Sequence, residues 1–260
     1  MKTVFQVNEF PLHQFKAIGL YQENQLLLSS GEIQALLSGR RTSLLSLNNL
    51  TGKDFAIERL DARLSLHRKD NGELELFIHP IYKQVRHHPL LNAQEEEDLI
   101  RGNKTFIGKK IDQEEGRSTM FNVEYDTLTR SFVGYDVSKV QAPDRVNNML
   151  LSEEEKSSFK RGELVTLPDG TRLMHRASEP KGMLSDRQSL VLSVLLDGGI
   201  SYLLLRGIRA LHDNALQLSH LTPAFQDAMN EMEGARKNEN QRTIDHPLTV
   251  GESYQRKMSR

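Results

Sequence analysis

Basic residues recur around a glycine at three places in the chain: Arg40 and Arg41 follow Gly39, Arg101 and Lys104 bracket Gly102, and Lys160 and Arg161 precede Gly162. Guanidinium and ammonium groups at equivalent positions of stacked units would form a stripe that contacts phosphates, with affinity dominated by charge rather than base identity. Arg40, Arg41, Lys104, Lys160 and Arg161 are therefore the expected nucleic-acid-binding residues. The same cations also suit the last turn of a helix, where they complement its dipole and need no ligand. The acidic runs Glu95-Glu96-Glu97 and Glu153-Glu154-Glu155 lie one helix length away and would repel DNA from that side.

Other constellations carry less chemistry. Asp61, Arg63, Ser65 and His67 alternate along one segment with Glu73 and Glu75 across a turn, a row that could supply acid, base and nucleophile to a hydrolase or nuclease. Alternating opposite charges are also what the solvent face of an antiparallel pair favours. His79, His87 and His88 form a cluster among the histidines, but a divalent ion needs a further ligand converging from elsewhere. No phosphate-cradling glycine loop, Gly-x-Ser-x-Gly elbow or His-Glu-x-x-His helix occurs. The expectation is a chain with no catalytic residues, no metal, no cofactor and no small-molecule substrate.

Three segments that align without a gap would position the basic groups: residues 28–39, 91–102 and 151–162. Ser29, Asn92 and Ser152 stand as helix N-caps, with Glu32, Glu95 and Glu155 three residues on to complete capping boxes. Leu36, Leu99 and Phe159 supply the buried contact, and Gly39, Gly102 and Gly162 end each helix in the left-handed region. An apolar stretch and a hairpin come after each helix. In the first hairpin a two-residue Asn-Gly loop would split the leucines between faces, whereas a three-residue Asp70-Asn71-Gly72 loop pairs Leu66 with Leu76 and Leu64 with Ile78. Gly72 is then expected at positive φ. The second hairpin runs from Ser118 to Tyr125 and from Phe132 to Val137, turning near Asp126 to Arg130. The third unit starts alike at Pro168-Asp169-Gly170 and Leu173 to Arg176, then departs.

From Ser185 onward the period changes. Leu190, Val191, Val194 and Leu195 precede Gly198-Gly199, and Leu204, Ile208 and Leu211 come next at helical spacing, which reads as a helical hairpin from about Asp186 to His212, with Gly207 allowing close packing. The β-branched content keeps strands open as the alternative. Thr222 caps a further helix with Pro223 in its first turn and Phe225, Met229 and Met232 on one face, ended by Gly234. The text after it is polar and aperiodic and reads as a disordered tail. The expected fold class is α+β, with about three degenerate helix-strand-hairpin units followed by a helical hairpin and a C-terminal helix. Residues 1–90 form an N-terminal domain, 91–234 a repeat-type domain and 235–260 the tail.

The 260 residues carry 34 basic and 35 acidic side chains, so no overall field holds a polyanion or a membrane surface, and any nucleic-acid site must be local. Without cysteine there are no thiolate metal sites or disulfides. The longest apolar run, Leu190 to Leu205, is interrupted by Asp197, Gly198 and Gly199 and is too broken to span a bilayer. The first residues turn polar too early for a signal peptide. A cytoplasmic protein with no membrane partner is the expectation.

Residues Phe10 to Tyr82, with Leu37-Ser38-Gly39-Arg40-Arg41-Thr42 and Asp61-Ala62-Arg63-Leu64-Ser65-Leu66, resemble one uncharacterised domain family. Leu151-Ser152-Glu153-Glu154-Glu155 through Gly162-Glu163-Leu164-Val165 resembles a second, repeat-type uncharacterised family. Both are similar to domains of proteins carried on conjugative plasmids and integrative elements of Bacteroidetes, where the repeat type can accompany topoisomerase-like or other DNA-processing proteins. The resemblance brings no catalytic residues. It implies a non-enzymatic accessory of mobile-element DNA transactions that binds DNA or a DNA-processing protein. The rival reading is a protein-interaction scaffold acting by strand addition or helix packing, and a third is an unrecognised hydrolase or nuclease using Asp61 and His67.

Overall fold

In a computed structural model, which describes residues 4–51, 56–112, 118–196, 199–211, 217 and 222–245, three eight-residue helices carry reciprocal caps. They are α2 (Ser30–Leu37), α3 (Ala93–Ile100) and α4 (Glu153–Lys160), preceded in the chain by a short α1 (Leu12–Ala17). Ser152 Oγ accepts from the Glu155 amide at 3.2 Å and Glu155 Oε2 accepts from the Ser152 amide at 2.7 Å, with the same reciprocal bonds at Ser29–Glu32 and Asn92–Glu95. Each helix stops at a glycine in the left-handed region, Gly39, Gly102 and Gly162 at φ of 70°, 74° and 77°, so the last carbonyls are satisfied without strain.

After each of these helices comes a three-stranded antiparallel meander. The first is β3 (Leu45–Thr51), β4 (Ala56–Arg68) and β5 (Leu74–Pro80), preceded by the small ribbon β1 (Tyr21–Gln22) and β2 (Gln25–Leu26). The second is β6 (Ile107–Asp112), β7 (Ser118–Asp126) and β8 (Ser131–Asp136). After the ribbon β9 (Arg145–Val146) and β10 (Met149–Leu150), the third is β11 (Val165–Thr166), β12 (Arg172–His175) and β13 (Met183–Ser185). Between β4 and β5 the register pairs Leu66 with Leu76 and Leu64 with Ile78, and Gly72 has φ of 87°, the three-residue turn that the leucine pattern requires. Apolar side chains of each helix and sheet close separate cores: Phe15, Leu36, Ala62 and Leu64 in the first, Leu91, Leu99 and Val123 in the second, and Leu151, Phe159, Leu173 and Met183 in the third.

The expected α+β class ending in a helical hairpin is corrected by the strands of the C-terminal part. Among the described residues strand residues outnumber helical ones, in five small sheets, and residues 186–212 contain no helical hairpin. They form an antiparallel pair, β14 (Ser189–Leu196) and β15 (Gly199–Arg206), with β14 also bonded to β9. Leu190, Val191 and Leu192 are each no more than 1% exposed, because one face of β14 enters the third core while Val191 meets Phe225 and Ala228 of α5 (Pro223–Asp245) on the other. A strand buried on both faces reads as a continuous apolar run and loses the alternation that marks strands. In the sequence, Asp197-Gly198 between two such runs is a hairpin signal; those two residues lie outside the described ones. Gly207 sits after β15 at φ of 64°, in no helix. The Thr222 hydroxyl does cap α5 by accepting from the Phe225 amide at 3.2 Å. The helix runs past Gly234 to Asp245, since Ala235, Arg236 and Lys237 are strong helix formers that outweigh one glycine. Residues 246–260 of the expected tail lie outside the described residues.

Candidate functional site

Of the alternating polar row on β4, Arg63 is covered while His67 stays exposed. Arg63 is 1% exposed. Its Nε donates to Thr42 O at 2.7 Å, and its Nη1 donates to Asp126 Oδ2 at 2.7 Å and to Ser178 O at 2.6 Å. Arg41 joins the same carboxylate at 3.1 Å and donates to Ser131 Oγ at 2.9 Å and Phe132 O at 3.3 Å. One carboxylate at the end of β7 thus holds two guanidinium groups of the first unit, while Ser178 of the third closes over them. Glu124, two residues earlier and on the same face of β7, is fully enclosed and accepts from the Ala177 and Ser178 amides at 3.2 and 3.0 Å. Burial pushes its carboxyl above the usual range, with Arg176 pulling the other way. Together with the Tyr82 amide bond to Thr129 O at 3.0 Å, this network ties the three units into one arrangement.

Where the units meet, they leave a cleft of about 700 Å³. Its walls come from the α2–β3 turn (Gly39, Arg40), from Ser65, His67 and His79 of the first sheet, from β8, and from the loop between β12 and β13. Five consecutive residues, Phe132 to Asp136, line it. Because β8 is the outer strand of its sheet, the cleft runs along a sheet edge and takes in side chains from both faces. Gly134 is what allows this: a Cβ there would lie 2.4 Å from Cε1 of Phe121, so the Phe121 ring lies across the glycine and forms part of the wall.

The cleft is cationic. Arg40, Arg68, Lys139 and Lys181 line it against a single acid, Asp136, among the lining residues. Arg68 is paired with Glu9 at 2.8 Å and lies over the Phe5 ring, and Lys139 reaches Asp136 only at 3.9 Å. Arg40 is different. Its Nε donates to Pro180 O at 3.1 Å, and among the described residues no carboxylate pairs with it. Burial alone pulls its guanidinium down to about 10. A desolvated charge without a counter-charge is costly, and an anion entering the cleft would relieve it.

Ser65 and His79 sit 2.8 Å apart, hydroxyl to Nε2, on the same wall. Such a pair resembles a nucleophile and its base. Burial and the Arg41 and Arg63 charges push the His79 imidazole down to about 3, so the imidazolium that proton abstraction must create is opposed by both guanidinium groups. Those charges disfavour His79 as a general base toward Ser65. Asp61 and His67, the acid and base of a hydrolase reading, do not converge: Asp61 bonds Ser46 at 2.6 Å and Arg59 at 3.1 Å, and His67 lies edge-on to Phe77. The three histidines form no metal-ligand group among the described residues: His79 is on Ser65, His87 Nδ1 and the His88 amide share Glu96 Oε1 at 2.7 Å each, and His88 Nδ1 accepts from the Leu90 amide at 3.3 Å.

Of the five basic residues expected to touch nucleic acid, the structure brings Arg40 and Arg41 to the cleft, with Arg41 turned into the buried network. Lys104 pairs with Asp98 at 3.2 Å, Arg161 bonds Glu163 at 2.7 Å and Ser157 at 2.6 Å, and Lys160 lies half-buried in the last turn of α4. These three do not line the cleft. Sequence reading missed Lys139, Lys181, Phe121 and Gly134. Only Gly134, a glycine inside a strand pattern, carried a local signal of close approach.

Residues 5–90 match the family model described as protein of unknown function (DUF4099). The matched segment spans α1 to β5 and holds Arg40, Ser65 and His79, whereas Lys139, Lys181 and β8 lie outside it. The cleft is accordingly shared between that domain and the units C-terminal to it. No curated protein and no solved structure matches the chain. Among the described residues, no helix is long and apolar enough to cross a membrane.

Proposed function

We propose that this chain is a non-enzymatic binding module that holds nucleic acid in the cleft between its three units. The observation that carries the reading is Arg40, a half-buried guanidinium with no acid partner among the described residues, set on a cleft with Lys139 and Lys181. Local cations of this kind suffice in a chain of net charge −1, since phosphate contacts depend on the few charges within a Debye length. The resemblance to domains of conjugative plasmids and integrative elements supports an accessory role in mobile-element DNA transactions. The chemistry of the Ser65–His79 pair argues against a hydrolytic role. A second reading, a protein partner added as a strand, is favoured by the β8 edge running along the cleft.

Fluorescence anisotropy with labelled DNA at several salt concentrations tests the proposal. Affinity falls linearly on a log–log plot with salt, with a slope of about −0.7 to −0.9 per phosphate neutralised. Replacing Arg40, Lys139 and Lys181 by glutamine flattens that slope by about 2 to 3. Binding that survives the triple replacement unchanged would remove the cleft from the account, and lack of binding at low salt would leave the protein-partner reading in its place.

A further inference from the structure

We infer that the cleft takes a single strand, threaded along β8 with bases against its aromatic wall, and does not take duplex. The inference rests on the nucleic-acid reading above and goes beyond it by choosing the form of the ligand. The first ground is concavity. A B-form duplex is read by elements that project into its grooves, the major groove admitting a helix or a two-stranded ribbon. Here Arg40 is recessed beside Pro180 and Gly182, which sits against its side chain with a Cβ position 3.0 Å from Cδ. A phosphate held on a duplex cylinder does not reach into such a recess, whereas that of a flexible strand does. The second ground is size, because about 700 Å³ is the capacity of a site for a drug-sized ligand, the scale of a short run of single-strand nucleotides.

The wall itself supplies the third ground. Phe121 is half-buried, and the lack of a side chain at Gly134 leaves its ring lying over the β8 backbone at the cleft surface. Phe132 lies on the same face of β8 as Gly134, while Tyr135, on the opposite face, bonds Asn122 and packs against His175. Aromatic platforms beside a cationic groove are the common solution for single strands, since each base has a π-face and stacking tolerates any sequence. Lys139 and Lys181, which also line the cleft, then meet the phosphates. An extended acidic peptide would satisfy the cations and the β8 edge equally well but would leave the aromatic wall unused.

The experiment uses the full chain and four probes in anisotropy or competition: an oligothymidylate of about 12 nucleotides, within the span of known single-strand sites, a duplex of equal length, thymidine monophosphate and an oligoglutamate peptide. The single strand is expected to bind at least 10-fold more tightly than the duplex, with the mononucleotide a weak competitor. Phe121→Leu, which keeps apolar bulk beside Leu91 and Leu99 but removes the π-face, lowers single-strand affinity by about 10-fold, the order expected for one lost stacking contact, without altering the salt slope. Gly134→Ala, whose Cβ displaces the ring, gives the same loss, and thermal melts confirm that both variants are folded. Lysine replacement does the reverse and changes the slope by about 0.7 per residue. Equal affinity for duplex, or an unchanged affinity in both folded aromatic variants, overturns the single-strand inference while nucleic-acid binding stands. Full competition by the mononucleotide overturns threading. Binding of oligoglutamate with no binding of either nucleic acid overturns the inference together with the reading beneath it.

Discussion

Replacing Asp126 by alanine removes the one carboxylate that, among the described residues, bonds both Arg41 and Arg63. The side chains involved are 10%, 1% and 2% exposed for Arg41, Arg63 and Asp126, so water does not take over the lost role. Stranding a buried charge by deleting its partner costs about 3–5 kcal/mol. Asp126 Oδ1 also accepts from the Leu128 and Thr129 amides at 3.1 and 3.4 Å, and losing those turn bonds adds about 1 kcal/mol. At about 2–4 °C per kcal/mol for a chain of this size, the melting temperature is expected to fall by roughly 10–20 °C. Circular dichroism melts and urea denaturation of the purified protein measure it. Adding Arg63→Met to the Asp126→Ala background is expected to recover part of the loss, because an apolar side chain in place of a buried ion is often neutral. A drop below about 2 °C for Asp126→Ala, or no recovery in the double variant, would refute the reasoning that this network holds the three units together.

His175 packs edge-on between Tyr135 and Phe159, and burial with the Arg40 and Arg176 charges pushes it down to about 3. The folded value lies below the unfolded value of about 6.5, so the unfolded chain takes the proton first as pH falls, and stability present above about 6.5 is lost toward 3. At pH 5 this amounts to about 2 kcal/mol. His175→Phe should therefore melt less steeply with acid than the parent; parallel pH curves would contradict the assignment. Ser152→Ala, which removes the acceptor for the Glu155 amide, should cost about 1 kcal/mol in urea titrations, and an unchanged midpoint would mean the cap is idle. Gly72→Ala, forced to φ of 87°, should lose about 1–2 kcal/mol, which a turn of another type would not.

How much of this was legible in the sequence depends on how local the signal is. Capping boxes, helix-ending glycines and the Asp70-Asn71-Gly72 turn are written in neighbouring residues, and Ser29, Asn92, Ser152 and Gly72 could be read directly. Leu190 to Leu192 could not, because the cover on the second face of β14 comes from α5, more than thirty positions on, and burial on both sides erases the period that separates strand from helix. Arg63 misled for a related reason: its alternation with Leu64 and Leu66 correctly placed it on the opposite face of β4, but nothing local says that this face meets Asp126 and Ser178. The cleft is legible in part. Arg40 was picked out by its recurrence beside a glycine, yet the partners that make it a site, Lys139, Lys181 and the Phe121–Gly134 wall, come from two other units and share no spacing with it.

The central claim, that the cleft between the units is where nucleic acid sits, is tested most directly by photo-crosslinking. A single-stranded oligonucleotide carrying a photoreactive base is irradiated with the full chain, and the adducts are mapped by peptide mass spectrometry. The account predicts adducts within residues 132–141 and 177–183, which supply β8, Lys139 and Lys181, and their loss in the Arg40→Gln, Lys139→Gln, Lys181→Gln variant. Adducts confined to peptides around Lys104 or Lys160 and Arg161, with none along β8, would contradict it.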